Sequence, residues 1–203
     1  MTKAFEIIKK YELQKYLQKL LKHSSANFLP YHNFYHTMCM VENCEDISSS
    51  LGFTNFEKRA MAIAAIFHDF NHSGGKLKDK ENVINAINAF LAMSLEDQDI
   101  NDLVIETIKA TEYPYVIAEE DLTIYQKVIR DADLMQTFEK NYLQQNWLGL
   151  TTEMNLDMLT CLKGSEIFWN NVKFHTEYAK SKSQEYMPGR FDDVKFLLNI
   201  LEN

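Results

Sequence analysis

The chain has 203 residues, 46% of them hydrophobic and 25% charged, with only six glycines and three prolines. This composition excludes a disordered or linker-rich chain, and the length predicts one domain, residues 1–203, with a sizeable core. A formal net charge of −8 argues against a nucleic-acid partner, and three cysteines without a CxxC pair predict reduced thiols in a cytoplasmic protein.

Hydrophobic residues recur at helical spacing along nearly the whole chain, and no segment alternates as a strand does. Residues 1–30 are predicted to form a leading helix, which is followed by a helix around Met38. Thr54 and Glu57 have capping-box spacing. They predict a helix start before the apolar run AMAIAAIF, residues 60–67, which we expect to be central and buried.

The remainder of the chain is predicted to be helical as well. Three helices are indicated by the apolar residues of 83–91, 100–108 and 122–138. Further on, Thr151 is predicted to cap a helix, and Pro188 with Gly189 to form a turn before a short C-terminal helix. The pattern predicts an all-α, compact helical bundle with a motif-bearing core over 31–138 and C-terminal helices over 139–203. No stretch approaches the roughly 20 apolar residues that cross a bilayer, so we expect no membrane partner.

Four of the six histidines fall in two short clusters. The first, YHNFYH, holds His32 and His36, which would share one face of a helix. The second, HDFNH, holds His68, Asp69 and His72 at the end of the buried run, where we expect the following glycine pair to end the helix. A buried carboxylate costs several kcal/mol unless it is paired or bound to a cation. Imidazole and carboxylate together suit Zn, Mn, Fe, Co, Ni or Mg.

Two adjacent ligands are too few for a firm metal site, so others must come from remote segments. His36 is the best third ligand, and its ordinary alternative is a capping or core histidine. The segment RDADL offers Asp131 and Asp133, two acids that interrupt a helical apolar pattern. Glu81 and Asn82 are better explained as residues of a helix start than as ligands.

The ordered set His36, His68-Asp69 and Asp133 resembles the signature of the HD-domain superfamily of metal-dependent phosphohydrolases. The matching segment, 31–138, covers about half of the chain. The motifs YHNxxH and HDxxHxG are similar to those of cyclic-nucleotide phosphodiesterases, whereas the chain length is closer to the small bacterial HD phosphohydrolases. This resemblance implies a helical bundle of the HD/PDEase type, with one divalent metal ion held by these four residues.

The resemblance also implies catalytic roles. It makes His32 the proton donor to the leaving oxygen. An equally sensible role for His32 is to orient His36 through a hydrogen bond. It places His72 near a metal-bound water that Asp69 could orient. The chain has no histidine between His72 and Asp133, so a second fully ligated metal is not expected, while a water-rich second ion bridged by Asp69 stays open.

We therefore expect a metal-dependent hydrolase that cleaves a phosphate ester by attack of metal-bound water. The expected substrate is a small phosphorylated molecule, a nucleotide or cyclic nucleotide. Two alternatives stay open: a catalytically weak HD domain that senses a nucleotide, and, as the weaker one, a diiron oxygenase of the HD fold.

Overall fold

The computed structural model describes residues 2–202, among which no β-strand occurs, and this confirms the predicted all-α class. The helices are α1 (Thr2–Lys10), α2 (Gln14–His23), α3 (Phe34–Ser50), α4 (Asn55–Phe67), α5 (Asp79–Met93), α6 (Gln98–Lys109), α7 (Ile124–Leu134), α8 (Gly149–Met154), α9 (Met158–Asn171) and α10 (Glu177–Glu202). Short 3-10 turns cover Ser25–Phe28, Glu119–Asp121 and Met135–Phe138, and a π-helical turn covers Leu143–Leu148. Within this described part, no helix is long and apolar enough to cross a membrane.

Helix α4 lies at the centre of the larger hydrophobic cluster. It begins at the predicted capping box, in which Thr54 Oγ1 accepts a hydrogen bond from Glu57 N and the Glu57 carboxylate accepts one from Thr54 N. Every residue from Ala60 to Phe67 is buried, and α4 packs against α2, α3, α5, α6 and α7. Each large apolar side chain buried there contributes about 1.5–3 kcal/mol. This packing fixes the C-terminal end of α4 deep inside the bundle.

Residues 2–30 do not form the single leading helix that we predicted. The chain breaks between α1 and α2, where Glu12 adopts a φ angle of 57°. Tyr11 and Leu13, on either side of the break, are both buried. The apolar spacing continues across the break because both short helices place their apolar faces on the same core, so periodicity alone could not reveal it.

The helix after Pro30 begins later than the spacing of its histidines suggests. Asn33 caps α3, and its side-chain oxygen accepts a hydrogen bond from His36 N at 3.1 Å. The helix therefore begins at Phe34, and His32 lies before it. His32 and His36 do not share a helical face, contrary to our prediction, because the Asn33 cap separates them.

Helix α4 ends at Phe67, well before the glycine pair that we predicted as its end. Gly74 and Gly75 have φ angles of 65° and 78°, which favour glycine. A β carbon at Gly74 would lie 2.8 Å from Leu29 Cδ2, and one at Gly75 would lie 2.8 Å from Met154 Sδ. The pair therefore allows the loop after α4 to pack closely against α8 and the segment before α3.

The C-terminal third departs most from the predictions. Thr151 lies within α8 instead of capping a helix, and the cap of α9 is Asp157, which accepts a hydrogen bond from Thr160 N at 2.8 Å. Pro188 and Gly189 lie inside α10 instead of forming a turn. Of the helix predicted over 122–138, only Ile124–Leu134 is α-helical, and Met135–Phe138 forms a 3-10 turn.

A second, smaller hydrophobic cluster explains why α10 continues through its proline. Its buried members are Tyr142, Trp147, Leu162, Trp169, Val194 and Leu198. Because α10 packs on the larger cluster before this position, through Ala179, and on the smaller cluster after it, through Val194 and Leu198, tertiary contacts outweigh the cost of a proline in a helix. The cysteines Cys39, Cys44 and Cys161 are all buried and unpaired.

Candidate metal centre

Four predicted ligand residues from three remote segments lie together at one end of the bundle. His36 belongs to the first turn of α3, His68 is the C-terminal cap of α4, and Asp69 follows it. Asp133 lies in the last turn of α7. Because α3, α4 and α7 all contact one another, their ends bring these side chains to one place. We call these four residues the ligand cluster.

The ligand cluster has the spacing of atoms that share one ion. His36 Nε2 lies 3.0 Å from His68 Nε2 and 3.2 Å from Asp69 Oδ2. One ligand atom from each of these three residues lies within 4.8 Å of the others, and Asp133 Oδ1 joins them at 3.2 Å from His36 Nε2. Atoms that each lie about 2.1 Å from one metal ion are separated by roughly 3.0–3.4 Å.

Both imidazole rings of the ligand cluster are held with Nε2 turned inward. His36 Nδ1 lies 2.5 Å from Gln136 Oε1, and His68 Nδ1 lies 2.9 Å from the carbonyl oxygen of Ala65. An amide oxygen can only accept a hydrogen bond, so Nδ1 carries the hydrogen in each ring. In the neutral ring this leaves a lone pair on Nε2, the atom that faces the cluster. His36 is thus oriented by Gln136, and not by His32.

Electrostatics in the ligand cluster favour positive charge. Burial would lower the pKa of His36, but the carboxylates of Asp133 and Asp69 beside it raise that pKa to about 10. Burial would raise the pKa of Asp69, but the imidazoles of His68 and His32 hold it well below its usual range. The site therefore stabilises ionised carboxylates together with a compensating cation.

One atom in particular indicates that these residues fit a metal ion. Asp69 Oδ2 is buried, and no described residue donates a hydrogen bond to it. His68 Nε2 and His36 Nε2 lie 3.0 and 3.2 Å away, but without hydrogen-bond geometry. A buried carboxylate oxygen without a hydrogen bond or a cation lowers the stability of the folded protein. A divalent cation coordinated by these nitrogens and by Asp69 would satisfy all three atoms.

A second group of side chains lies beside the ligand cluster. His32 Nδ1 lies 2.5 Å from Glu153 Oε1, and Glu153 Oε2 accepts hydrogen bonds from Tyr31 N and His32 N. His72 Nδ1 lies 3.6 Å from Glu153 Oε1 and accepts a hydrogen bond from Gly74 N. The rings of His32 and His72 stack with their centres 3.7 Å apart. We call His32, His72 and Glu153 the Glu153 cluster; its geometry could also hold a metal ion.

Glu153 was missed by the sequence analysis. It lies on α8, and its side chain is only 1% exposed. Helix α8 approaches this closely because residue 149 is a glycine: a β carbon there would lie 3.0 Å from Pro30 O. Burial would raise the pKa of Glu153, but the hydrogen bond with His32 lowers it, so the carboxylate is ionised. The residue follows two threonines in no recognisable motif, so no local signal could have identified it.

Three acidic or polar candidates lie outside both clusters. The buried carboxylate of Asp131 accepts hydrogen bonds from His175 N, Thr176 N and Thr176 Oγ1, which fastens α7 to the start of α10. Glu81 accepts a hydrogen bond from Lys78 N at the start of α5, as expected of a helix-start residue. Asn82 instead accepts one from Ser73 N, in the loop after α4.

Both clusters contribute to the wall of a cavity of about 420 Å³. Asp133, His32 and His72 line one part of this main cavity. Its aromatic lining consists of Tyr31, Tyr113, Tyr115, Phe168 and Trp169. No lysine or arginine of the described chain lines it. Aromatic side chains in a cavity of this size could pack against a planar group.

No protein-family model, curated protein or solved structure matches this chain. A proposal for the function of this protein therefore depends on the geometry of the two clusters and on the sequence motifs.

Proposed function

We propose that this protein is a metal-dependent phosphohydrolase of the HD-domain type, which cleaves a phosphate ester of a nucleotide or cyclic nucleotide. The observation that carries the proposal is the meeting of His36, His68, Asp69 and Asp133 beside a cavity of small-molecule size, which Asp133 lines. The order of these residues along the chain is that of the HD signature. The three buried, unpaired thiols suit a cytoplasmic location.

The charge of the main cavity explains why such a reaction would need a metal. A bound divalent cation lowers the pKa of coordinated water toward about 7 and offsets negative charge on the phosphoryl oxygens. The cavity wall itself carries Asp79 and Asp133 but no lysine or arginine among the described residues. Its own charge therefore repels polyphosphates more strongly than a substrate with a single negative charge.

His32 is the proposed proton donor to the leaving oxygen. It lines the main cavity, and its hydrogen bond with Glu153 fixes the orientation of the ring. A positioned donor of this kind contributes about 10²–10⁴-fold to the rate. His72 stacks on His32 and lines the same cavity, so it supports one face of the His32 ring.

The aromatic residues of the cavity support the choice of a nucleotide. Tyr113 contacts Tyr115 and Phe168 edge to face, with ring centres 5.5 Å apart in both pairs. Rings arranged in this way present both faces and edges to a bound planar group. A nucleobase could pack against them while its phosphate reaches the ligand cluster.

The test begins with elemental analysis of the purified full-length protein. Hydrolysis of bis(p-nitrophenyl) phosphate, 3′,5′-cyclic AMP, AMP and ATP is then measured with Mn, Co, Ni or Mg. The variants are the double substitution His68→Ala with Asp69→Ala and, as a matched control, the exposed His23→Ala. We expect bound metal and metal-dependent hydrolysis in the wild type and the control, and neither in the double variant.

Two results would contradict the proposal. One is equal hydrolysis by the wild type and the double variant, and the other is no turnover of any substrate with any of the metals. If a nucleotide raises the melting temperature of the metal-loaded protein without turnover, the sensor alternative replaces the hydrolase. Oxygen consumption by an iron-loaded sample would instead identify the oxygenase.

A further inference from the structure

A second cavity, of about 230 Å³, shares Tyr115 with the main cavity. No residue of the ligand cluster or the Glu153 cluster lines it. Apart from Tyr115, its charged or titratable side chains are Glu119, Arg130, Lys173 and His175. We call it the Arg130 cavity.

Arg130 is buried without a carboxylate partner. It is 2% exposed; its Nε donates to Ala110 O at 2.8 Å, and its Nη2 donates to Ile117 O at 3.2 Å. The guanidinium also lies over the Tyr115 ring, 4.0 Å from its centre. Within residues 2–202, nothing accepts a hydrogen bond from Nη1, and no acid forms an ion pair with this side chain. Charged side chains are rarely buried so completely without a counter-ion.

The neighbouring charges do not neutralise the guanidinium. Among the described residues that line the cavity, Glu119 is the acid, but its carboxylate pairs with Lys173 Nζ at 3.1 Å. Asp131 follows Arg130 in the sequence, yet its carboxylate accepts hydrogen bonds at the start of α10. His175, the remaining titratable group, has a pKa lowered by burial and is neutral near pH 7. The uncompensated charge of the cavity is therefore one positive charge on Arg130.

We propose that the Arg130 cavity is a binding site for a small oxyanion, a phosphate or a carboxylate. The anion accepts a charge-assisted hydrogen bond from Arg130 Nη1, the donor that the fold leaves unused. Lys173, at the cavity wall, adds positive charge, and the Asn171 amide adds a neutral donor. This inference does not depend on the proposed hydrolase activity, because it uses none of the metal-ligand residues.

The ion pair at the cavity wall allows two opposite changes of charge. Glu119→Gln removes the acid that competes with the anion for Lys173, so binding should become about three- to tenfold tighter. Lys173→Gln removes a cation and leaves Glu119 unpaired, so binding should weaken by a similar factor. Lys163→Gln is the matched control, since Lys163 forms an exposed ion pair with Glu202 outside the cavity.

The experiment is calorimetric titration of the EDTA-treated full-length protein with sodium phosphate and, separately, sodium acetate at constant ionic strength. Removal of metal prevents phosphate from binding through an ion at the ligand cluster. We expect saturable binding, tightened in Glu119→Gln, weakened in Lys173→Gln and unchanged in Lys163→Gln. Preference for phosphate or for acetate identifies which oxyanion the cavity takes.

Arg130→Gln should abolish the binding, but this variant also loses two hydrogen bonds to backbone carbonyls and could fail to fold. The Glu119 and Lys173 variants change only exposed side chains, so they test the proposal even then. Absence of saturable binding up to about 10 mM of either anion would overturn it. Equal affinity in the wild type, Glu119→Gln and Lys173→Gln would overturn it as well.

Discussion

The ligand cluster and the Glu153 cluster are adjacent, and both consist of histidines and carboxylates. They differ in how many of their polar atoms receive hydrogen bonds. In the ligand cluster, the Nδ1 atoms of His36 and His68 bond to Gln136 and to a backbone carbonyl. Both Nε2 atoms then face a buried Asp69 oxygen that receives no hydrogen bond from any described residue. Within the ligand cluster, the buried polar atom left without a hydrogen bond is Asp69 Oδ2, an atom that a cation would bind.

In the Glu153 cluster, by contrast, the carboxylate and His72 Nδ1 already receive hydrogen bonds. Glu153 receives hydrogen bonds from two backbone N–H groups and from His32, and His72 Nδ1 accepts one from Gly74 N. A set of histidines and acids within metal-binding distance is therefore not enough to define a metal site. The unsatisfied atom distinguishes the cluster suited to a metal from the cluster suited to hold a proton.

The largest expected effect separates the two clusters directly. Asp69→Asn removes a proposed carboxylate ligand, so metal affinity should fall by more than about 100-fold. This loss exceeds the one that follows when a residue that only orients a metal ligand is replaced. Glu153→Gln should leave the metal content unchanged and lower hydrolysis by about 10²-fold, because it removes the partner of the proposed proton donor. Elemental analysis and rate measurements on both variants check this. Loss of metal from Glu153→Gln would mean that the distinction between the clusters is wrong.

Removal of the metal should destabilise the protein through the ligand cluster alone. At a free metal concentration 100 times the dissociation constant, bound metal contributes about 2.7 kcal/mol to the free energy of unfolding. Thermal unfolding with and without EDTA measures this contribution. Asp69→Asn serves as the control, since its melting temperature should not respond to EDTA; an equal response in both proteins would place the metal elsewhere.

Gln136→Leu tests whether the orientation of His36 matters. The substitution keeps a side chain of similar size but removes the acceptor for His36 Nδ1, so metal affinity should fall about 10- to 100-fold. Gln144→Leu, an exposed position on the π-helical turn, is the matched control and should bind metal as the wild type does. Titration with Co(II), followed by its visible spectrum, gives both affinities. Unchanged affinity in Gln136→Leu would remove Gln136 from the site.

The smallest effect concerns the position of Glu153. Gly149→Ala places a β carbon 3.0 Å from Pro30 O and 3.3 Å from Tyr31 Cβ, so we expect a loss of about 1 kcal/mol in the free energy of unfolding. Gly164→Ala is the control, because nothing lies within 4 Å of its added carbon and alanine favours a helix. Denaturant unfolding compares the two. Equal stability would show that α8 tolerates a larger separation from the segment before α3.

Local sequence signals predicted much of the bundle. The capping box of Thr54 and Glu57, the buried run of α4, and the helices α5 and α6 depend on interactions between residues three or four positions apart. Such interactions can be predicted from the sequence because their partners are close neighbours along the chain. The candidate ligands were identified for a related reason, since histidine and aspartate stand out at the end of an apolar run.

Tertiary structure decided the features that depend on contacts between distant segments. The break at Glu12 and the continuation of α10 through Pro188 follow from packing on a shared core, which local spacing does not encode. Glu153 becomes a partner of His32 only because Gly149 lets α8 approach residues 30 and 31. The sequence alone therefore determined the helical class and the residues able to bind a cation. Folding decided which of them have polar atoms left unsatisfied, because that depends on neighbours a hundred residues or more away.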